Sequence, residues 1–412
     1  MRKLQFLAIS LIFTASAFGQ TTFEQPQIDN IQFDQVKVKV GADFAIQYQA
    51  LSNTADSTLV PLGSNLNLPT ANFDLDADLA RGIRVHLRTY LSSKHHNDTW
   101  VKGGYLIMDQ LPFLHSSAVD NIMNYLTLKV GVMELNYGDE HFRRSDNAEV
   151  INNRFVGNYI MDAFTTAPGL EIMFRNPSGL ILMGGLTSGS LSPDLVTYSS
   201  YSGNYTTINM AKELAVYGKV GIDKQINDDL RVRATVSGYH NKQNHFGSLY
   251  EGDRAGSRFY MVMVTQSEAN GDVTPGDYRA SGRWSPGFTN KDNSVMLNLF
   301  TRFHGLEFFG TIEQAKGTPA FGGPDFNFNQ YAAEALYHFG GDDQFYGGAR
   351  YNYVKNDKDM NVNRYEIAAG WNMTKNIITK VEYVNQTYNN FTDKYGSDAG
   401  FNGVMVEAGI SF

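Results

Sequence analysis

The sequence predicts an all-β chain closed into a transmembrane antiparallel up-and-down β-barrel of about 16 to 18 strands. Three observations predict it. Segment after segment alternates apolar with polar side chains, the period of a ribbon with two different faces. Beyond the N-terminal stretch no run is apolar for long enough to span a bilayer as a helix. Short turns rich in Gly, Asn and Asp alternate with longer polar connections. The negative mean hydropathy does not oppose this, because only every second side chain of a barrel strand faces lipid.

In chain order, Arg2 and Lys3 precede an uninterrupted weakly polar to apolar run from Leu4 to Phe13, and Ala17-Phe18-Gly19 supplies small residues at both recognition positions of a cleavage site. Residues 1–19 are therefore expected to be an export signal, with the mature chain starting at Gln20 and residues 20–412 forming one barrel domain. Cysteine is absent, so neither a lipidated N-terminus nor a disulfide framework is expected. Losing Arg2 and Lys3 takes the formal charge from −8 to −10, and no basic block remains to track nucleic acid, so no nucleic-acid partner is expected. The 11 prolines mark no linker, and 39 Gly, 23 Tyr and 27 Phe suit short turns and aromatic girdles better than a helical enzyme.

The first strand has Val36, Val38, Val40, Ala42, Phe44, Ile46, Tyr48 and Ala50 on one face, and Lys37, Lys39, Asp43, Gln47 and Gln49 on the other. Next, Phe73, Leu75, Ala77, Leu79, Ile83, Val85, Leu87 and Leu91 oppose Asn72, Asp74, Asp76, Asp78, Arg84, His86 and Arg88, with a tight turn at Gly82. Val216, Val220 and Ile222 lead through Asn227-Asp228-Asp229 to Leu230, Val232, Ala234 and Val236, which alternate with Arg231, Arg233, Thr235 and Ser237. Tyr331 to Phe339, Phe345 to Tyr353, Tyr365 to Trp371 and Ile377 to Tyr383 continue the meander, turning at Gly340–Asp343 and Lys375-Asn376. The last strand alternates Val404, Val406, Ala408, Ile410 and terminal Phe412 with Met405, Glu407, Gly409 and Ser411, the form of an outer-membrane insertion signal ending on Phe412. Regions 155–170 and 257–290 are ambiguous and leave the strand number open. The wall is expected to meet outer-membrane lipid and to close on itself, since hydrocarbon offers an exposed strand edge no hydrogen-bond partner.

A barrel this wide must hold water or be plugged. The stretch from Gln20 to Asp34 is too short for a globular plug, which leaves an open or loop-constricted lumen. The candidate constriction is the third long loop, about residues 136–167, with Asp139, Glu140, His141, Arg143, Arg144, Asp146, Glu149 and Arg154. Folded inward, it would set opposite charges across the lumen; left outside, it is a solvated surface loop. The lumen itself is expected to be lined by Lys37, Lys39, Asp74, Asp76, Asp78, Arg84, His86, Arg88, Arg231, Arg233, Glu307, Glu313 and Glu334.

The strand Thr99-Trp100-Val101-Lys102-Gly103-Gly104-Tyr105, then Lys129-Val130-Gly131-Val132-Met133-Glu134-Leu135-Asn136-Tyr137-Gly138-Asp139-Glu140, then an Arg-bearing loop, resembles outer-membrane porins close to the phosphate-selective porin O/P-like group. The resemblance implies a Gram-negative outer-membrane location and passage of small hydrophilic solutes. Outer-membrane porins are often homotrimers, and the outward Tyr and Phe side chains suit an oligomer contact as readily as an interfacial girdle. The terminal strand ending on Phe412 makes the outer-membrane insertion machinery the expected partner in assembly. Phosphate-favouring members line the pore with many Lys and Arg, whereas here the basic positions interleave with Asp74, Asp76, Asp78, Glu307, Glu313 and Glu334. The expectation is therefore passive diffusion of small hydrophilic solutes or ions. A hydrophobic-solute transporter, or an adhesin or assembly barrel without an open pore, is the alternative.

Three constellations are set aside. His95 and His96 point to opposite sides of an extended chain, so no metal is expected there. Asp74, Asp76 and Asp78 share a strand face that a wet lumen explains. His86 and Ser92-Ser93 have no spacing that ties a nucleophile to a base, so neither catalysis nor a cofactor is expected.

Overall fold

The computed structural model describes residues 22–27, 33–55, 58–93, 96–145, 150–191, 198–201, 205–207, 214–242, 249–250, 257–269, 280–319 and 324–412. Residues 1–19, expected to be an export signal, lie outside these, as do His95, Asp146 and Glu149. In order, the strands are β1 (Lys37–Asn53), β2 (Asn65–Ala80), β3 (Ile83–Ser92), β4 (His96–Met108), β5 (Leu126–Glu134), β6 (Thr166–Arg175) and β7 (Leu180–Thr187). A small hairpin follows, β8 (Tyr198–Tyr201) and β9 (Tyr205–Thr207). Then come β10 (Ala215–Gln225), β11 (Leu230–Asn241), β12 (Lys291–Phe303), β13 (Leu306–Thr318), β14 (Phe326–Phe339), β15 (Phe345–Asn356), β16 (Asn361–Thr374), β17 (Ile377–Asn389) and β18 (Gly400–Ser411). All but β8 and β9 pair in chain order into one closed antiparallel barrel of 16 strands.

Sixteen is the lower end of the expected range, because both ambiguous regions stay largely out of the wall. Only Thr166–Arg175 of the first is strand, and residues 257–269 and 280–290 contribute none to the barrel. Among the described residues no helix is long and apolar enough to cross a membrane.

The alternation read from sequence is the alternation of the wall. On β1, Ile46 and Tyr48 are exposed while Asp43, Gln47 and Gln49 are buried. On β14 the outward Tyr331 and Tyr337 flank the inward Glu334 and His338. Leu299, Ile312, Ile367 and Val381 also point outward and are exposed. Leaving such a side chain in water instead of an apolar surround costs about 1.5–3 kcal/mol each, so this surface suits hydrocarbon.

Closure is made by β1 against β18, from Asp43 opposite Ser411 to Asn53 opposite Phe401. Phe412 completes the seam: its N–H donates to the Ala42 carbonyl and the Ala42 N–H donates to the Phe412 carbonyl, both at 3.0 Å. One rim carries short turns, among them 81–82, where Gly82 sits at φ 68° and a Cβ would strike the Gln110 side chain and backbone. The connection from β4 to β5 on this rim is longer and holds a helix, α1 (Ser117–Met123), capped by the Ser116 hydroxyl accepting from the Val119 N–H at 3.5 Å. The opposite rim carries the long loops, of which the described residues of the third (135–145 and 150–165) and the fifth (249–250, 257–269 and 280–290) turn into the barrel.

Candidate functional site

The third loop leaves β5 after Glu134 and turns at Gly138, whose φ of 67° and lack of a Cβ let the backbone pass against the Met296 side chain of β12. The next residue, Asp139, is bound from several sides. Its N–H donates to Asn298 Oδ1 at 2.8 Å, and its carboxylate accepts from Arg233 Nε and Nη2 and from Lys219 Nζ, each at 2.8 Å, and from Thr235 Oγ1 at 2.7 Å. Burial would raise this carboxyl, but the charges of Lys219 and Arg233 hold it well below the usual carboxylate range. Glu140 is the opposite case. Burial first, then the neighbouring Glu313 and Asp162, push its carboxyl well above the usual range, and both its oxygens accept from Gln330 Nε2 at 3.3 and 3.4 Å.

Arg143 reaches the far wall. Its Nη2 donates to Glu307 at 2.9 Å and to Glu334 at 2.7 Å, its Nε donates to Glu334 at 3.1 Å, and the guanidinium lies 4.8 Å from the Phe309 ring. Arg144 turns back to Asp162 of its own loop at 2.8 Å and stacks 3.9 Å from Phe164. His141 bonds Glu134 and, at 3.0 Å, Asn136. Arg154 donates to Asn372 at 3.3 Å. All six are buried. The loop's backbone is held as well: Val156 N–H donates to Glu382 at 2.6 Å, Ile160 N–H to Asn352 at 2.7 Å and Met161 N–H to Gln330 at 3.1 Å, while Lys380 donates to the carbonyls of Val150, Asn153 and Phe155.

The fifth loop seats on the third. Trp284 N–H donates to the Ile160 carbonyl at 2.9 Å, and Arg283 donates to the carbonyls of Asp162 at 2.9 Å and Tyr250 at 2.7 Å. Arg258 pairs with Glu407 of β18, and Gln49 of β1 exchanges two hydrogen bonds with the Tyr260 backbone at 2.8 and 2.9 Å. Neither this loop nor its anchoring residues were foreseen, since non-periodic segments dock by contacts that leave no period in sequence. The wall partners Lys219, Arg350, Arg364, Glu366, Lys380 and Glu382 were also missed, although they sit at inward positions of strands whose alternation was plain.

Free space remains along β3 to β6. A cavity of about 240 Å³ is bounded by Arg84, His86, Arg88, Lys129, Glu134 and Glu171 of the wall, by Asn136 and His141, and by residues 22–26. Here the charges pair sideways between neighbouring strands. Arg88 holds Asp74 at 2.5 and 2.7 Å, Arg84 holds Asp78 at 2.9 Å, and His86 bonds Asp76 at 3.0 Å. Lys39 and Lys37 lie near the rim, close to Asp78 and Asp34. Further round, Arg231 pairs with Asp223 at 2.8 Å, Arg233 with Asp139, and Glu313 accepts from Tyr137 at 3.0 Å and Tyr250 at 2.7 Å. Ser92 lies six residues beyond His86, about 20 Å along the strand, so the two do not meet.

No family model matches the chain, and no curated protein sequence matches it. Solved structures do. The anion-selective porin from Comamonas acidovorans is 12% identical with a TM-score of 0.55, covering 92% of this chain and 100% of that one. The outer membrane channel DcaP of Acinetobacter baumannii is 12% identical with a TM-score of 0.54, covering 92% of this chain and 97% of that one. OmpT, an outer membrane protein of Vibrio cholerae, in its trimer form is 11% identical with a TM-score of 0.50, covering 92% of this chain and 100% of that one. At these identities the likeness is one of fold.

Proposed function

We propose that the chain is an integral outer-membrane porin through which small hydrophilic solutes or ions diffuse passively. In this reading residues 1–19 are the export signal, the short turns face the periplasm, and Phe412 closes the insertion signal. The third loop, from Asp139 through Arg154, forms the constriction. The observation that carries the proposal is the division of the lumen. The wall from β12 to β18 is covered by loops, while the arc from β3 to β6 borders a cavity whose lining includes Arg84, Arg88 and Lys129 together with Glu134 and Glu171. Charges of both signs around a narrow aqueous path select solutes by size and dipole rather than by a single ion sign.

The phosphate-selective group resembled in sequence suggests a basic lumen, but Arg84 and Arg88 are each engaged by an aspartate, which favours general diffusion. Structural neighbours described as a porin, a channel and a trimer support the reading and a homotrimeric state. We assign no catalysis, since the candidate base His86 faces Asp76 and Asp74 rather than a hydroxyl nucleophile.

Purified mature chain in planar bilayers is expected to give ohmic current steps, and liposomes carrying it are expected to swell faster in small sugars than in large ones. Silence in both assays would favour a transporter of hydrophobic solutes or an assembly barrel and would end the porin reading.

A further inference from the structure

Residues 22–27 do not lie outside the barrel. They run up into it from the rim of short turns. At the rim, Gln27 Nε2 donates to the carbonyls of Met123 at 3.2 Å and Leu126 at 2.9 Å. Deeper, Phe23 is buried edge-on against Phe300 of β12 at 5.2 Å and Phe142 of the third loop at 5.7 Å. Beside it, the Glu24 carboxylate accepts from Arg233 Nη1 at 2.7 Å and Nη2 at 2.8 Å, and lies 3.4 Å from Lys219 Nζ. Arg175 of β6 reaches the Glu24 carbonyl at 3.5 Å. Arg233 is three residues from the start of β11, so the carboxylate sits about 10 Å inside the mouth.

The charges around it identify what the position accepts. Arg233 presents one edge to Asp139 and its other end to Glu24, and Lys219, which bonds Asn136 at 2.5 Å, the Gly138 carbonyl at 2.7 Å and Asp139 at 2.8 Å, adds its charge 3.4 Å from Glu24. The remaining anion near by, Asp223, lies 3.1 Å from Arg233 but is held in two bonds by Arg231 at 2.9 and 2.8 Å. Without Glu24, one N–H of Nη1 and one of Nη2 would face the lumen as a parallel pair, while the same two nitrogens keep their bonds to Asp223 and Asp139. That fork fits any carboxylate bidentately. The strength of the pairing agrees: although burial alone would raise it, Lys219 and Arg233 bring the Glu24 carboxyl down to about 2.

We propose that Arg233 and Lys219 form a carboxylate-binding site in the lumen which the chain's own Glu24 occupies, so that residues 22–27 are a displaceable stopper and small carboxylates are the solutes that compete with it. The proposal deepens the porin reading and rests on it for the transport consequence only. A short tether gives an effective concentration of the order of mM, so a free carboxylate competes with the segment at that concentration or above, according to how well it matches the hold of Glu24 on the fork.

Two measurements test it. A fluorescent peptide of residues 20–27 is added to a barrel lacking those residues, its folding checked by circular dichroism and heat-modifiable gel mobility. It is expected to bind, about tenfold or more weakly when it carries Glu24→Gln, and to be displaced by sodium acetate but not by sodium chloride at equal ionic strength. In bilayers, the shortened chain and full-length Glu24→Gln are expected to carry larger unitary currents than the intact chain, and acetate is expected to reduce the current of both relative to chloride. Should the shortened chain fail to fold, full-length Glu24→Gln decides alone. A peptide that does not bind, that binds equally well with the Glu24→Gln substitution, or that acetate and chloride affect alike overturns the site, as do equal currents from the intact and Glu24→Gln chains. Peptide binding that requires Glu24, with every chain silent in bilayers, would end the porin reading and leave the carboxylate site standing.

Discussion

Two arcs of the same wall use their inward charges differently. From β2 to β3 the partners are neighbours in the sheet: Asp74 with Arg88, Asp78 with Arg84 and Asp76 with His86, each pair directly opposed in register and bordering open lumen. From β13 to β18 the inward carboxylates Glu307, Glu334, Glu382 and Glu407 reach across the interior to Arg143, to the Val156 N–H and to Arg258. The first arrangement needs only the sheet. The second needs two loops to be folded inward, and each loop in turn needs the wall. A period of two therefore decides which side chains face the interior, whereas loop docking decides whether they meet water or protein.

The largest expected effect breaks the second arrangement. In Arg143→Ala, Glu307 loses its guanidinium partner, and Glu334, still held by Arg350 at 2.8 Å, loses one of two. Removing one member of a buried, hydrogen-bonded pair costs about 3–5 kcal/mol. That loss is local to the loop, because the barrel hydrogen bonds remain. The third loop is expected to become cleavable by added protease, and the unitary current to rise, with strand content by circular dichroism unchanged. A protected loop with unaltered current would mean that the anchor is not what holds it.

The next effect sharpens the contrast through pH. Glu140 faces Glu313 of β13, Glu334 and Gln330 of β14, and Asp162 of its own loop. Burial, then Glu313 and Asp162, hold its carboxyl above the usual range, so the docked loop binds a proton that the undocked loop releases near the ordinary carboxylate pKa. The contribution of Glu140 to docking is thus full at or below that ordinary value and is lost as pH rises from there through the raised one, while Asp139, held below the usual range, opposes it only in more acid solution. Protease protection of the third loop is expected to fall as pH increases, and Glu140→Gln is expected to remove this dependence. Protection that instead increases with pH in the parent chain would reverse the assignment.

The barrel was legible because every strand had to present one face to hydrocarbon, and that requirement is written into residues such as Tyr331, Ala333, Ala335 and Tyr337 around inward Glu334. The seam was legible at Phe412 for the same reason. The charged run Asp139–Arg144 was legible as a candidate constriction through its density, although its two possible places, inside or outside, were not distinguishable from composition. The fifth loop and the N-terminal segment were not legible. Arg258, Trp284, Phe23 and Glu24 owe their roles to partners more than a hundred residues away in sequence, and no local spacing records such pairings. The expectation that Gln20 to Asp34 is too short for a globular plug stands beside a structure in which residues 22–27 occupy the mouth of the lumen.

The smallest expected effect on stability belongs to the sideways pairs, and it separates the two arcs most cleanly. Arg88→Gln leaves Asp74 near His86, and Asp43 still bonded by Asn72, where Arg88 and His86 line the open cavity. A pair that is mostly buried but borders the cavity costs less to break than the fully enclosed Arg143 pairs, about 1.5–3 kcal/mol. Thermal stability and loop protection are therefore expected to change less than in Arg143→Ala. Removing one positive charge from the border of the aqueous path should nevertheless shift the reversal potential in a salt gradient toward cations, because charge near a narrow pore weights the local ion concentrations. If the same substitution released the third loop and left the reversal potential where it was, the arc from β3 to β6 would be a structural brace and the conducting path would lie elsewhere.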